Sequence, residues 1–310
     1  MHKEVLRLAA LLACVALATS RFGLIGHELL GHGGAALAFG AHIDSVQLFW
    51  FAGGWIRYHL TEPSPAAALA IAMAGIALEL LVGVTLWLAV RRPTLGGRIT
   101  RGIGAALVVH ATWYLATGAW HGFGDGLILY RMLGAARAPV AIAAGLVTCG
   151  VAFLGAREVL GALSATVHGS RRARVIGTAI ALVLAAGLHA GLTAGELALR
   201  RDPTYAETMQ PERERVIAQE LSQWRSEQAA RGVEVSPDAQ RVERAHLAKV
   251  HRTFPFVWLL AIATALAALA GARRAKPGAE TRISSRLLVL AAGIAIGAVW
   301  LVITIDGVVM

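Results

Sequence analysis

The residues Gly26-His27-Glu28-Leu29-Leu30-Gly31-His32 set two imidazoles and a carboxylate inside an otherwise apolar stretch. A charged group within a membrane span costs roughly 2.5–3.5 kcal/mol on insertion scales, so ionisable groups held there commonly mark function. Imidazoles beside a carboxylate are the parts of a hydrolytic zinc site, in which two His bind metal and the Glu serves as base. The zinc-protease helix motif spaces them as His-Glu-x-x-His. Here one more residue intervenes between Glu28 and His32. On an ideal α-helix, residues four apart lie about 40° apart and share a face, whereas residues five apart lie about 140° apart and diverge. The spacing therefore predicts a bulge, kink or helix end between Glu28 and Gly34, because a π-bulge adds one residue to a turn.

Catalytic zinc usually takes three protein ligands and keeps a fourth position open. The leading third ligand is Asp125, in Gly124-Asp125-Gly126, where glycine allows close backbone approach and the carboxylate would otherwise be isolated. Glu79 and His110, in the spans flanking the site, are reserve ligands, although interior hydrogen bonding is the simpler role for each. His121 is near enough to Asp125 in sequence to orient it through an outer hydrogen bond. His42 and His59 read as interfacial residues with no assigned role.

The elements that must position these groups are apolar. Of 310 residues, 56% are hydrophobic and only 15% charged, and the mean hydropathy is +0.61. A soluble core of this length needs more charge on its surface. Runs of the roughly 17–25 residues needed to span a bilayer recur along the chain. They cover residues 4–40, 65–90, 102–120, 138–155, 175–197, 254–271 and 286–303, which predicts an all-α polytopic membrane protein of about seven helices. Cys14 and Cys149 both lie in apolar runs and imply no disulfide framework. Residues 1–20 resemble a signal peptide, but the apolar run continues through Val15-Ala16-Leu17-Ala18, which favours an uncleaved helix.

The formal charge of +10 is gathered in short connections, which points to the bilayer and away from nucleic acid. Lys3 and Arg7 open the chain. Arg91, Arg92, Arg98 and Arg101 follow the second span, Arg157, Arg171, Arg172 and Arg174 the fourth, and Arg273, Arg274, Lys276, Arg282 and Arg286 the sixth. If residues 4–40 cross once, with a break near Ser20–Gly26, all four clusters fall on one side, which is then cytoplasmic together with the N-terminus. The Ala, Gly and Arg bias hints at a bacterial source, for which the expected location is the inner membrane.

Two segments depart from simple spans. Residues 43–60 are aromatic and β-branched around Gly53-Gly54, which fits a β-hairpin turning on the paired glycines or an interfacial loop anchored by Trp50 and Trp55. Residues 200–253 are the one sizeable polar segment, read as two solvated helices broken at Gly232 and Pro237, with a protein-partner surface as the alternative.

Over residues 1–135 the chain resembles the site-2 protease family of intramembrane zinc metalloproteases. The resemblance rests on His27-Glu28-Leu29-Leu30-Gly31-His32 in the first element and on Gly124-Asp125-Gly126-Leu127 in a later one. The glycine hairpin matches that family's membrane-associated β element, and Ala74-Gly75-Ile76-Ala77-Leu78-Glu79 its Ala-Gly-Pro-x-x-Asn segment. The resemblance implies Zn²⁺ on His27, His32 and Asp125, Glu28 as catalytic base, and membrane or membrane-adjacent protein substrates. Gly124 stands where the family has Leu, and its Pro and Asn in the second core span are missing. Residues 136–199 then add further spans, 200–253 form the polar segment and 254–310 a C-terminal helix pair. A non-catalytic scaffold on the same fold is the alternative, and a carrier using the buried charges the remoter one.

Overall fold

In the computed structural model, residues 2–62, 64–90, 94–276 and 281–306 are described; Arg91 and Arg92 of the second basic cluster lie outside them. The chain opens with α1 (His2–Ile25), a π-helical segment (Gly26–Gly33) and α2 (Gly34–Ala38), which run on as one 37-residue helix. The break expected near Ser20–Gly26 is absent, and the irregularity lies instead in the π-segment. A hairpin follows, β1 (Ala41–Leu48) and β2 (Gly54–Leu60). Then come α3 (Pro65–Ala89), α4 (Leu95–His121), α5 (Gly126–Met132), a single 3₁₀ turn, α6 (Arg137–Ser164) and α7 (Arg171–Arg200). The polar segment holds α8 (Pro203–Thr208), α9 (Glu212–Ala230) and α10 (Pro237–Val250), and α11 (Phe256–Arg273) and α12 (Ser285–Ile305) close the fold.

Helix starts are written in the sequence. The hydroxyls of Ser64, Thr94, Ser170, Ser236 and Ser284 each accept from the N–H three residues on, capping α3, α4, α7, α10 and α12. Among the described residues six helices are long and apolar enough to cross a membrane: His2–Ala38, Pro65–Ala89, Gly134–Ser164, Arg171–Arg200, Phe256–Arg273 and Ser285–Ile305. This is the pattern of a multi-pass helical membrane protein. The run 102–120, expected as a seventh, lies in α4, which has the length at 27 residues. His110, Thr112, Trp113, Tyr114 and Thr117 dilute its apolar character. Large apolar side chains such as Val183, Trp258 and Val289 face outward, as they do where lipid is the solvent.

The hairpin is antiparallel, pairing His42 with His59, Val46 with Ile56 and Leu48 with Gly54, with a bulge between Ile43 and Ser45. The paired-glycine turn is not how it reverses. Neither Gly53 nor Gly54 takes a positive φ, and residues 49–53 form a wider loop. That loop is held from outside. Glu196 of α7 accepts hydrogen bonds from the N–H groups of Trp50 (2.5 Å), Phe51 (2.6 Å) and Ala52 (3.0 Å). Arg21 of α1 donates to the carbonyls of Phe49 (2.6 Å) and Phe51 (3.3 Å). A two-stranded hairpin is marginal alone in water; here Ile43, Val46 and Leu48 also pack on Leu29, Val302 and Ile305.

Contacts sort the connections into two ends. At one end Leu48 N–H donates to Asp306 (3.0 Å), Gln47 to Asp202, and Glu212 N–H to Gly122 O (2.8 Å). The hairpin, the Asp125 turn, the polar segment and the end of α12 therefore lie together. At the other end His168 pairs with Glu4 (2.6 Å) and Arg7 donates to Ile283 O (3.1 Å).

Candidate metal centre

The π-segment resolves the irregular spacing. Its N–H groups reach five residues back, as Gly34 N–H does to Leu29 O. Residues five apart thus stack as residues four apart do in an α-helix. His27 and His32 fall on one face, with ring centroids 4.8 Å apart at 79°. With Glu28 they form a buried set whose ligand atoms lie within 4.8 Å of one another. The segment packs close to α3, because Gly31 lies against the backbone of Gly75. A β-carbon on Gly75 would stand 2.6 Å from His27 Nε2 and 2.7 Å from His32 Nε2. Only glycine leaves that space free.

Asp125 arrives from the opposite side. Gly124 takes φ +52, a left-handed conformation that glycine adopts without strain. Gly126 packs on the backbone of Gly118 and brings the turn against α4. Asp125 Oδ2 then lies 2.8 Å from His27 Nε2, and Oδ1 lies 3.1 Å from His32 Nε2. The three expected ligands converge, with Glu28 beside them.

The hydrogen bonds around the imidazoles decide what the cluster can hold. His32 Nδ1 lies 2.6 Å from the carbonyl of Ile71, so it must be the N–H that donates. In the neutral ring Nε2 is then a bare lone pair, and it has no hydrogen-bond partner although Asp125 Oδ1 is 3.1 Å away. In the neutral ring that lone pair and the carboxylate oxygen repel each other, which either a shared cation or a proton on Nε2 relieves. Two imidazole nitrogens and a carboxylate are a donor set suited to Zn²⁺. The residues fit the metal.

Glu79 and His110 sit one layer out. His110 Nδ1 is 3.0 Å from Glu79 Oε2, and the same oxygen is 3.7 Å from His27 Nδ1. At that separation His27 Nδ1 makes no hydrogen bond, so Glu79 is held by His110 and faces His27 as a neighbouring charge. His121 does not orient Asp125. It ends α4 with Nε2 unpartnered and Arg213 as a neighbouring charge, because Gly122 turns the chain away before Asp125 returns to the site.

Tyr114 was not singled out by its sequence context. Its ring lies 6.3 Å from that of His27 and stacks on His110 at 6.1 Å. A β-carbon on Gly124 would collide with its hydroxyl, so the Gly-Asp-Gly turn also makes room for this phenol. The available signal was its position four residues after His110, on the same face of α4.

A cavity of about 1280 Å³ meets the cluster. His27, Glu28, Glu79, His110 and Tyr114 line one part, and apolar side chains of α1, α4, α6 and α7 such as Leu11, Ile103, Val159 and Leu182 line the rest. This exceeds the roughly 300–1,000 Å³ of small-molecule pockets. Comparisons with protein-family models, with curated proteins and with solved structures return no match to this chain.

Proposed function

We propose that this chain is a membrane-embedded zinc endopeptidase of the site-2 protease type, hydrolysing peptide bonds of membrane or membrane-adjacent proteins. One observation carries the reading: the Nε2 atoms of His27 and His32 converge on the one carboxylate of Asp125, at 2.8 and 3.1 Å, with Glu28 beside them, an arrangement that a cation would complete. His27, His32 and Asp125 would hold the zinc. Bound there, it would supply Lewis acidity, polarising the scissile carbonyl and acidifying water. Glu28 takes the proton of the attacking water and passes it to the departing amine nitrogen. The Tyr114 phenol is a hydrogen-bond donor facing the same space. The large apolar cavity gives a hydrophobic segment a route to the centre, and the hairpin offers main-chain groups to an extended one.

The same reading has seven crossings, α4 included, with the N-terminus cytoplasmic in a bacterial inner membrane. The sorting of connections into two ends supports it, since α4 runs from one end to the other and the basic connections share the end of Glu4 and His168. A cysteine at Gln228 should be labelled in intact cells by an impermeant reagent. Labelling only after lysis would overturn the orientation.

A second reading, a non-catalytic scaffold engaging a partner through residues 200–253, is favoured by the direct His27–Asp125 contact at 2.8 Å. Ligands around one zinc stand roughly 3–4 Å apart. A proton could satisfy that shorter contact. The two readings separate by zinc content and by cleavage of single-span peptides in proteoliposomes. The protease reading expects Glu28→Gln to keep zinc at the buried centre and lose cleavage, and Asp125→Ala to lose both that zinc and cleavage. Cleavage by Glu28→Gln at the wild-type rate would overturn it.

A further inference from the structure

The outer face of the hairpin carries a second set of metal-binding groups. His42 on β1 and His59 on β2 are a cross-strand pair, and their rings stack with centroids 5.2 Å apart. Between Ile43 and Ser45 the register shifts, leaving Asp44 as the extra residue of a bulge. Burial along β1 follows the bulge: Ala41 and Ile43 are buried before it, Val46 and Leu48 after it, and His42 and Asp44 are both exposed. The inserted residue thus keeps Asp44 on the face of the two His. Asp44 Oδ1 lies 2.7 Å from His59 Nδ1 and 3.5 Å from His42 Nδ1, and all three ligand atoms lie within 4.8 Å of one another.

We propose that His42, Asp44 and His59 form a surface site for a late divalent transition-metal ion, zinc above all. Two imidazoles and one carboxylate match the preferences of Zn²⁺, Ni²⁺ and Cu²⁺, whereas Mg²⁺ and Ca²⁺ take oxygen ligands. Arg57, exposed on β2, forms no ion pair with Asp44 that would compete for its charge. The side chains of His42, His59 and Asp44 are 62%, 63% and 44% exposed, so the remaining coordination positions are open to solvent or to a ligand from another molecule. The site closes the open end of the hairpin. β1 enters there from α2, just past His32, and β2 leaves there for α3, which carries Gly75 and Glu79. A metal across the strands therefore clips together the two chain segments that build the buried centre.

The test is zinc titration of the detergent-purified full chain by calorimetry, with bound metal counted after dialysis. The wild type should bind one zinc equivalent more than the His42→Ala/His59→Ala double variant, and Asp44→Asn should weaken the same event. These positions are exposed, so circular dichroism should show the fold unchanged. The readout is a difference between two proteins with the same buried centre, so it stands whether or not that centre is loaded. Equal zinc content in the wild type and the folded double variant would overturn the surface site and leave the buried centre untouched.

Discussion

Gly75 lies directly under His27: the place where its β-carbon would stand is 2.6 Å from His27 Nε2 and 2.7 Å from the same atom of His32. The position belongs to α3, an element with no ligand of its own. It decides how close two imidazoles of another helix can come to each other and to Asp125.

Gly75→Ala, made in the His42→Ala/His59→Ala background so that only the buried centre is counted, is therefore expected to abolish zinc binding while leaving the helical fold in place. An added methyl displaces both imidazole nitrogens at once, and the close backbone contact of Gly31 with Gly75 leaves no slack between the π-segment and α3. Zinc content beside circular dichroism checks it. A folded Gly75→Ala variant with full zinc would show that the metal sits elsewhere.

Deleting Leu30 tests the π-segment. Leu30 is 70% exposed and faces outward, and its removal leaves His-Glu-Leu-Gly-His, the regular spacing. An α-helical turn should then do what the π-turn does, so the shortened chain should keep its zinc. Loss of metal from a folded deletion variant would mean that the extra residue is required for more than alignment.

Glu79 faces His27 Nδ1 at 3.7 Å without bonding it, and His110 holds Glu79 from the other side. Removal of such an outer partner typically costs about 10–100-fold in metal affinity. Glu79→Ala should fall in that range and His110→Ala should have the smaller effect, measured by competition with a zinc chelator. Complete loss of zinc from the buried centre in Glu79→Ala would instead make Glu79 a ligand.

Asp202 gives the polar segment a pH dependence. Burial pushes its carboxyl up, but hydrogen bonds from Gln47 and from the N–H groups of Thr204 and Tyr205 outweigh this and hold it below the usual aspartate range. A lowered folded-state pKa means stability that is fully present above the ordinary value of about 3.9 and lost as pH falls through the lowered one. Asp202→Ala also removes the cap of α8, a loss of roughly 0.5–2 kcal/mol. The gap in thermal stability between wild type and variant should be widest near neutral pH and shrink in acid. A gap that grew on acidification would contradict this assignment.

The legible part of this protein was what local chemistry writes. Apolar runs gave the membrane helices, Gly232 and Pro237 gave the break between the two long polar helices, and the extra residue before His32 demanded the distortion found at Gly26–Gly33. Illegible features depended on distant partners. The hairpin loop is shaped by Arg21 and Glu196, which no local turn rule anticipates. His121 makes no hydrogen bond to Asp125 despite its nearness in sequence, since the left-handed Gly122 ends α4 between them. The surface set of His42, Asp44 and His59 needed the strand register, since only pairing brings residue 59 opposite residue 42.

The grip of Glu196 on Trp50 imposes an order on synthesis. The two residues are 146 positions apart. At roughly 5–20 residues per second, the ribosome adds that length in some 7–30 seconds. Through that interval α1, the π-segment and the hairpin already exist as chain, but the carboxylate that seats the loop has not been made. A nascent chain that already carries His27, Glu28 and His32 thus waits for the helix bearing Glu196 before its hairpin loop has all the hydrogen bonds it makes in the folded chain.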